Sequence, residues 1–262
     1  MKFVVTSGDI TVIESNESRS APDCGTGAGG FKPGNTCAAG GRETSDSMKT
    51  LKNLGGSTGA LLKQDSSGNK WVVKKGNSEA HIESEHLADN LYAAMGAPVA
   101  KATMETGEDG RQTKVAEFVS GTPLGELEPD AKEAASGELR KHFVADAIVA
   151  NWDVIGMEED NVLVTPDGVP MRIDNGGSLK FRAQGAPKDF GPVAGEIDTL
   201  RSSNQGRSVF GPITDAEIAA QVDAIDAIKY TVLAVADKHP AIRSALKSRI
   251  ENLVARYKDT PR

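Results

Sequence analysis

An α+β fold in two lobes is expected: a small antiparallel β lobe with one helix, followed by a mainly helical lobe. Three observations predict it. Between residues 51 and 121, short apolar runs are punctuated by Gly, Asn, Asp and Ser in the manner of hairpins. A single strongly periodic helical segment interrupts these runs. From Glu133 onward the apolar period turns helical, with only one more hairpin. A chain of 262 residues is long enough to bury the core that two such lobes need.

Residues 1–50 come first, and residues 14–50 are rich in Gly, Ser and Asn with almost no aliphatic side chains. Such a stretch cannot bury enough apolar area to offset its ordering entropy, so a flexible arm is expected. Within it, "GFKPGNTCAAGG" resembles the Gly/Pro/Cys tails of phage head-morphogenesis proteins. Order is expected from Leu51. "GALLKQD" and "KWVVKKG" read as strands joined by Ser66, Ser67, Gly68 and Asn69. "SEAHIESEHLADNLYAAMG" reads as a helix, with Ser78 as N-cap, Gly96 as stop, and Ile82, Leu87, Leu91 and Met95 near helical spacing. "APVAKATMETGEDGRQTKVAEFVSG" returns to strand character around a "GEDG" turn. The β lobe then spans 51–121, and the helical lobe 122–262.

In the second lobe, "AKEAASGELRKHFVADAIVANW" places Phe143, Ala147, Ile148 and Trp152 on one helical face. "NVLVTPDGVPMRID" is a hairpin turned by Pro166, Asp167 and Gly168. Two amphipathic helices close the chain, "TDAEIAAQVDAIDAIKYTVLAVADKH" and "PAIRSALKSRIENLVARYKD", parted at Pro240.

A net charge of −7 argues against a general nucleic-acid binder, because phosphate affinity needs an excess of Lys and Arg over some surface. No apolar stretch reaches the ~20 residues that span a bilayer, and the N-terminus lacks an export signal, so a cytoplasmic protein is expected. Cys24 and Cys37 stand without metal-ligand spacing, which predicts reduced thiols.

Five features form an ordered set. "GGSTG", comprising Gly55, Gly56, Ser57, Thr58 and Gly59, lets backbone N–H groups approach a phosphate. Lys74 lies on the strand that follows, with Lys75 as its rival for an inward position. Glu85 lies on the helix, with Glu83 as its rival, and a buried lysine needs such a partner. Asp153 falls where an apolar helix must end, and Asn161 opens the next strand. Asp174 stands between Ile173 and "NGG". Backbone and lysine to hold phosphates, oxygen ligands for magnesium, and a carboxylate to orient an attacking hydroxyl are the parts of kinase-type phosphoryl transfer.

On these segments the chain resembles the protein-kinase-like superfamily, and within it the HipA-like and phosphoinositide-kinase-like branch. "GGSTGALLKQDSSGNKWVVKKG" is similar to that branch's phosphate loop and lysine strand, and "SEHLADNLYAAMG" to its glutamate helix. "VAEFVSG" is similar to the hinge, where backbone groups of Glu117 and Val119 meet adenine. "NWDVIGMEEDNVLV" and "RIDNGGSL" are similar to the catalytic and metal-binding loops. The resemblance covers about residues 51–200. It implies a two-lobed protein-kinase-like fold and an active, ATP- and magnesium-dependent phosphotransferase whose acceptor is a protein Ser/Thr hydroxyl. Lys74, positioned by Glu85, would contact phosphates; Asn161 and Asp174 would bind magnesium; Asp153 would orient the acceptor. Lys180, Arg182 and Lys188 would lie on the acceptor side, and Gly176 and Gly177 would let the segment after Asp174 move. Transfer of AMP, a small-molecule acceptor, and a non-catalytic phage structural module on the same fold are the alternatives. Two departures stand out. Asp153 and Asn161 are eight residues apart, where protein kinases have five, and Phe-Gly is missing after Asp174.

Overall fold

Alternating residues and glycine-punctuated turns build a five-stranded antiparallel sheet. The computed structural model describes residues 43–55 and 59–261, so the expected arm lies outside the described residues as far as position 42, as do Gly56, Ser57 and Thr58. The sheet comprises β1 (Lys49–Gly55), β2 (Ala60–Gln64), β3 (Lys70–Lys74), β4 (Ala102–Thr106) and β5 (Gln112–Glu117), in the order β1-β2-β3-β5-β4. Between β3 and β4 runs α1 (Glu79–Ala94). Its N-cap is Ser78, whose hydroxyl accepts the His81 N–H at 3.1 Å, and Gly96 follows its end at φ +77°.

Strand β1 corrects the expectation that order begins at Leu51. Its side chains are almost all exposed and its pairing with β2 is interrupted by two register shifts, so no apolar alternation marks it in the sequence. What holds it is backbone pairing along a sheet edge. Just before it, Met48 and Ser45 are buried, and the Lys63 ammonium donates to the Ser45 carbonyl at 2.7 Å.

The rest of the chain is mainly helical. A small sheet in the order β6-β7-β8 comprises β6 (Thr122–Pro123), β7 (Val162–Val164) and β8 (Pro170–Arg172), the last two being the expected hairpin. Around it lie α2 (Pro129–Arg140), α3 (Phe143–Ile148), α4 (Glu196–Ser202), α5 (Arg207–Phe210), α6 (Asp215–Ala227), α7 (Lys229–Val235) and α8 (Pro240–Tyr257).

Two helices expected as continuous are each divided. The first breaks at Lys141–His142 into α2 and α3, and Trp152 lies beyond it in a loop, 46 % exposed. The chain leaves helical geometry at Ala150, whose φ is +52°, so a helical projection cannot carry to residue 152. The second breaks at Ile228, which lets α7 turn and pack against both α1 and α8. One apolar core runs from Leu87, Leu91 and Tyr92 of α1 through Phe143 and Ile148 to Leu246 and Leu253 of α8. Burial of each such side chain stabilises by ~1.5–3 kcal/mol, so α1 is anchored to the helical lobe while its other face serves the sheet. Among the described residues, no helix is long and apolar enough to cross a membrane.

Candidate active site

The cleft between the five-stranded sheet and the small sheet collects the polar residues singled out above. Alternation sets the two lysines on opposite faces of β3, and packing decides between them. Lys74 is buried, its Nζ 2.8 Å from Glu85 Oε1 and 3.3 Å from Asp174 Oδ1; Lys75 faces outward and pairs with Asp109 at 2.6 Å. Packing decides between the glutamates in the same way, since Glu85 is buried and Glu83 exposed. The side chains of Lys74 and Glu85 are 1 % and 0 % exposed, whereas that of Asp174 is 16 % exposed and so opens to the cleft. Burial opposes charge on Lys74, but Asp174 and Glu85 hold its ammonium above the ordinary lysine value.

The eight-residue spacing from Asp153 to Asn161 closes into a tight loop. The Asn161 Nδ2 group donates to the Asp153 carbonyl at 2.6 Å and to its Oδ2 at 3.2 Å. The added length is taken up by left-handed turns at Gly156 (φ +76°) and Glu159 (φ +55°), and by an Asn161 N–H bond to the Ile155 carbonyl at 3.2 Å. Burial raises the Asp153 carboxyl above the ordinary aspartate value, against the hydrogen bond from Asn161. Asn161 Oδ1 is buried without a hydrogen-bond partner. A hard oxygen left without a hydrogen-bond partner can serve as a ligand for a divalent cation. Among the described residues no three His, Cys, Asp or Glu side chains form a metal cluster, and an Asn/Asp pair fits a magnesium ion that takes its remaining ligands from phosphates and water.

Gly176 and Gly177 pack closely against the site. Both are buried, and a Cβ on Gly176 would lie 3.1 Å from His81 Nε2 and 3.3 Å from Asp174 Oδ1. One on Gly177 would lie 3.1 Å from the Asp153 Cβ. These glycines are needed for close approach of backbone to site side chains. His81, on α1, shares a hydrogen bond with the Gly176 carbonyl at 3.0 Å.

Lys188 is half-buried beside Trp152. Its Nζ donates to the Gly177 carbonyl at 2.6 Å and to the Ala150 carbonyl, and it lies 4.4 Å from the centre of the Trp152 ring. Lys188 thus ties the Asp153 loop to the Asp174 loop, and burial draws its ammonium down to about 7. Lys180 and Arg182 are exposed. Arg249, 2 % exposed, binds the carbonyls of Ala147, Ile148, Gly191 and Val193 and the Glu196 carboxylate, fixing the end of α3 that leads into Asn151 and Asp153. An apolar pocket beside Lys74 is lined by Val72, Ala116, Phe118, Val119, Leu163 and Ile173, with Glu117 at its edge. Of the glycine-rich stretch, Gly55 and Gly59 are described and hold φ of +76° and +63° at the β1–β2 turn.

Several residues of the cleft escaped the sequence reading: Lys114, Asp89, Asn175 and Asn151. Asp89 stands one helical turn after Glu85, and Lys114 shares a strand face with Ala116 on β5; that register was the available signal.

Gly156→Ala tests the loop. Its Cβ would meet Asp160 Oδ1 at 2.6 Å and sit in left-handed backbone, whereas Gly168→Ala, at φ +83°, meets nothing within 4 Å. Both substitutions should lose about 1–2 kcal/mol from backbone conformation. Thermal melts should show the larger loss for Gly156→Ala, and equal melts would mean that the loop yields freely.

A five-stranded antiparallel sheet with one helix, a helical second lobe, and a lysine, a glutamate and an aspartate meeting in the cleft together define an α+β architecture in two lobes. A proinflammatory kinase of Helicobacter pylori, CtkA, is similar in structure, with TM-score 0.48 and 12 % identity over 82 % of this chain and 97 % of that one. An aminoglycoside phosphotransferase from Alicyclobacillus acidocaldarius is similar at TM-score 0.38 and 14 % identity, over 80 % of this chain and 92 % of that one. No family model and no curated protein matches the chain.

Proposed function

We propose that the chain is an ATP- and magnesium-dependent phosphotransferase that transfers the γ-phosphoryl group to a Ser or Thr hydroxyl of a protein. The observation that carries the reading is the meeting of Lys74, Glu85 and Asp174 in one cleft that also holds Asp153, hydrogen-bonded to the amide nitrogen of Asn161. In this reading the apolar pocket takes the adenine ring, and the backbone of Glu117 and Val119 meets its edge. Gly55, Gly56, Ser57, Thr58 and Gly59 cover the phosphates, and Lys74, held by Glu85, contacts them. Asn161 and Asp174 hold magnesium, which supplies positive charge to the phosphate oxygens. Asp153 orients the acceptor hydroxyl and takes its proton as the new oxygen–phosphorus bond forms and the bond to ADP breaks. In this reading the peptide lies in the groove lined by Trp152, Val193, Thr199, Leu200, Ser203 and Gln205, which adjoins Asp153 through Trp152. The finer placing in the HipA-like and phosphoinositide-kinase-like branch, and the phage context, rest on the residue patterns quoted above.

Magnesium-ATP should raise the melting temperature of the wild type, and Asp174→Ala should remove that shift. Absence of any shift in the wild type at millimolar ATP and magnesium would overturn the reading. Isotopic labelling then identifies the group moved: product label from the γ-position supports phosphoryl transfer, whereas label from the α-position replaces it with AMP transfer.

A further inference from the structure

A second lysine is buried in the cleft. Lys114 of β5 lies directly across from Lys74 of β3 in the antiparallel register, and their side chains are 4 % and 1 % exposed. Like charges placed opposite one another on neighbouring strands repel, so a counter-ion must lie between them. Glu85 Oε1 is that counter-ion, 2.8 Å from Lys74 Nζ and 2.6 Å from Lys114 Nζ. One carboxylate cannot balance two ammonium groups. Asp89, one turn along α1, supplies the second at 2.7 Å from Lys114 Nζ. The other Asp89 oxygen accepts from Asn175 Nδ2 at 2.8 Å. Asn175 directly follows Asp174, whose Oδ1 returns to Lys74 at 3.3 Å. The contacts therefore close a ring through β3, α1, β5 and the loop after β8.

We propose that Lys114 is a positioning residue of the phosphotransfer site: it holds Glu85 and, through Asp89 and Asn175, the Asp174 loop when Lys74 turns towards phosphate. The proposal rests on the phosphotransfer reading of the cleft. Its physical basis is charge pairing. Lys74 is shared between Glu85 and Asp174, and both would lose part of that cation to a bound nucleotide. Lys114 also lines the apolar pocket, but its ammonium is bound by both Glu85 and Asp89, so Glu85 keeps a buried partner throughout and is not left as an uncompensated charge. Asn175, tied to Asp89, keeps Asp174 in place while its oxygens are free for magnesium. A helix held in this way needs no external event to bring Glu85 inward.

The test separates positioning from mere charge balance. Lys114→Met should strand Asp89 and destabilise the protein; Lys114→Met with Asp89→Asn removes both charges and should regain most of the melting temperature. Loss of a group that orients a metal ligand typically costs ~10–100-fold in metal affinity or activity. The double variant should therefore need at least about tenfold more magnesium for half-maximal activity, with the KM for ATP changed less. A double variant with wild-type magnesium response would overturn the proposal. If neither variant folds, amide exchange of the wild type decides: α1 and residues 174–177 should be equally protected with and without magnesium-ATP, and a large gain on α1 when nucleotide is added would overturn it. If the wild type does not bind ATP, the phosphotransfer reading fails on its own. Exchange in the ligand-free double variant then reports on Lys114 separately: coupled loosening of α1 and residues 174–177 supports its holding role, and unchanged protection overturns it.

Discussion

Asp153→Asn is expected to lower phosphoryl transfer by about 10²–10⁴-fold while magnesium-ATP still raises the melting temperature. The asparagine keeps the shape of the aspartate, and the loop is held by other bonds. The Asp153 carbonyl accepts from Asn161 at 2.6 Å, and its N–H donates to Asn151 Oδ1 at 3.0 Å. What disappears is the carboxylate that takes the acceptor's proton. The proposed nucleotide contacts belong to Lys74, held by Glu85, and to Asp174, so binding and transfer should separate. Steady-state kinetics with a thermal shift measures both, and a kcat within about threefold of the wild type would remove Asp153 from the mechanism. Lys75→Met serves as the control for Lys74→Met, since the first lysine pairs with exposed Asp109 and the second is sealed against Glu85.

The largest expected loss of stability comes from Asp146→Ala. Arg172 and Asp146 have side chains 1 % and 0 % exposed and form a two-pronged pair, Nε to Oδ1 and Nη2 to Oδ2, each at 2.7 Å. Asp146 Oδ1 also accepts from the Tyr92 hydroxyl at 2.9 Å, and that hydroxyl accepts from Asn151 at 3.2 Å. Removing Asp146 leaves a buried guanidinium without its counter-ion, which costs ~3–5 kcal/mol. For a protein of this size each kcal/mol moves the melting temperature by ~2–4 °C, so a fall on the order of 10 °C is expected. Asp146→Leu combined with Arg172→Met should recover most of it, because a well-packed apolar pair avoids desolvating two charges. A melt of Asp146→Ala within about 2 °C of the wild type would show that the pair carries little stability. The same substitution loosens Asn151, whose Oδ1 holds the Asp153 N–H, so stability and the site are joined through one buried network.

Local rules read parts of this protein well. The cap at Ser78, the stop at Gly96 and the Pro166–Gly168 turn follow from short-range sterics, whereas alternation set Lys74 opposite Lys75 and only the fold decided which was buried. Chain order alone also placed Asp153, Asn161 and Asp174 on loops between packed elements, because an apolar helix or strand must end where such residues accumulate.

Other features depended on partners distant in sequence. Strand β1 has almost no buried side chain to announce it and exists through backbone pairing with β2. The breaks at Lys141–His142 and at Ile228 come from the directions in which α3 and α7 must pack, and residue periodicity does not encode those directions. Trp152 left its expected helical face because Ala150 turns left-handed. The ring through Lys114, Asp89 and Asn175 includes a hydrogen bond between residues 86 positions apart. Taken singly, each of these residues is an ordinary surface charge or amide; burial alone makes an unpaired one costly, and so gives the ring its meaning. Periodicity and turn chemistry were sufficient for the parts and their order, because both act within a few residues. Which charges were sealed together, and how closely Asp153 approached Asn161, was decided only when the two lobes closed over a shared core and removed water from between them.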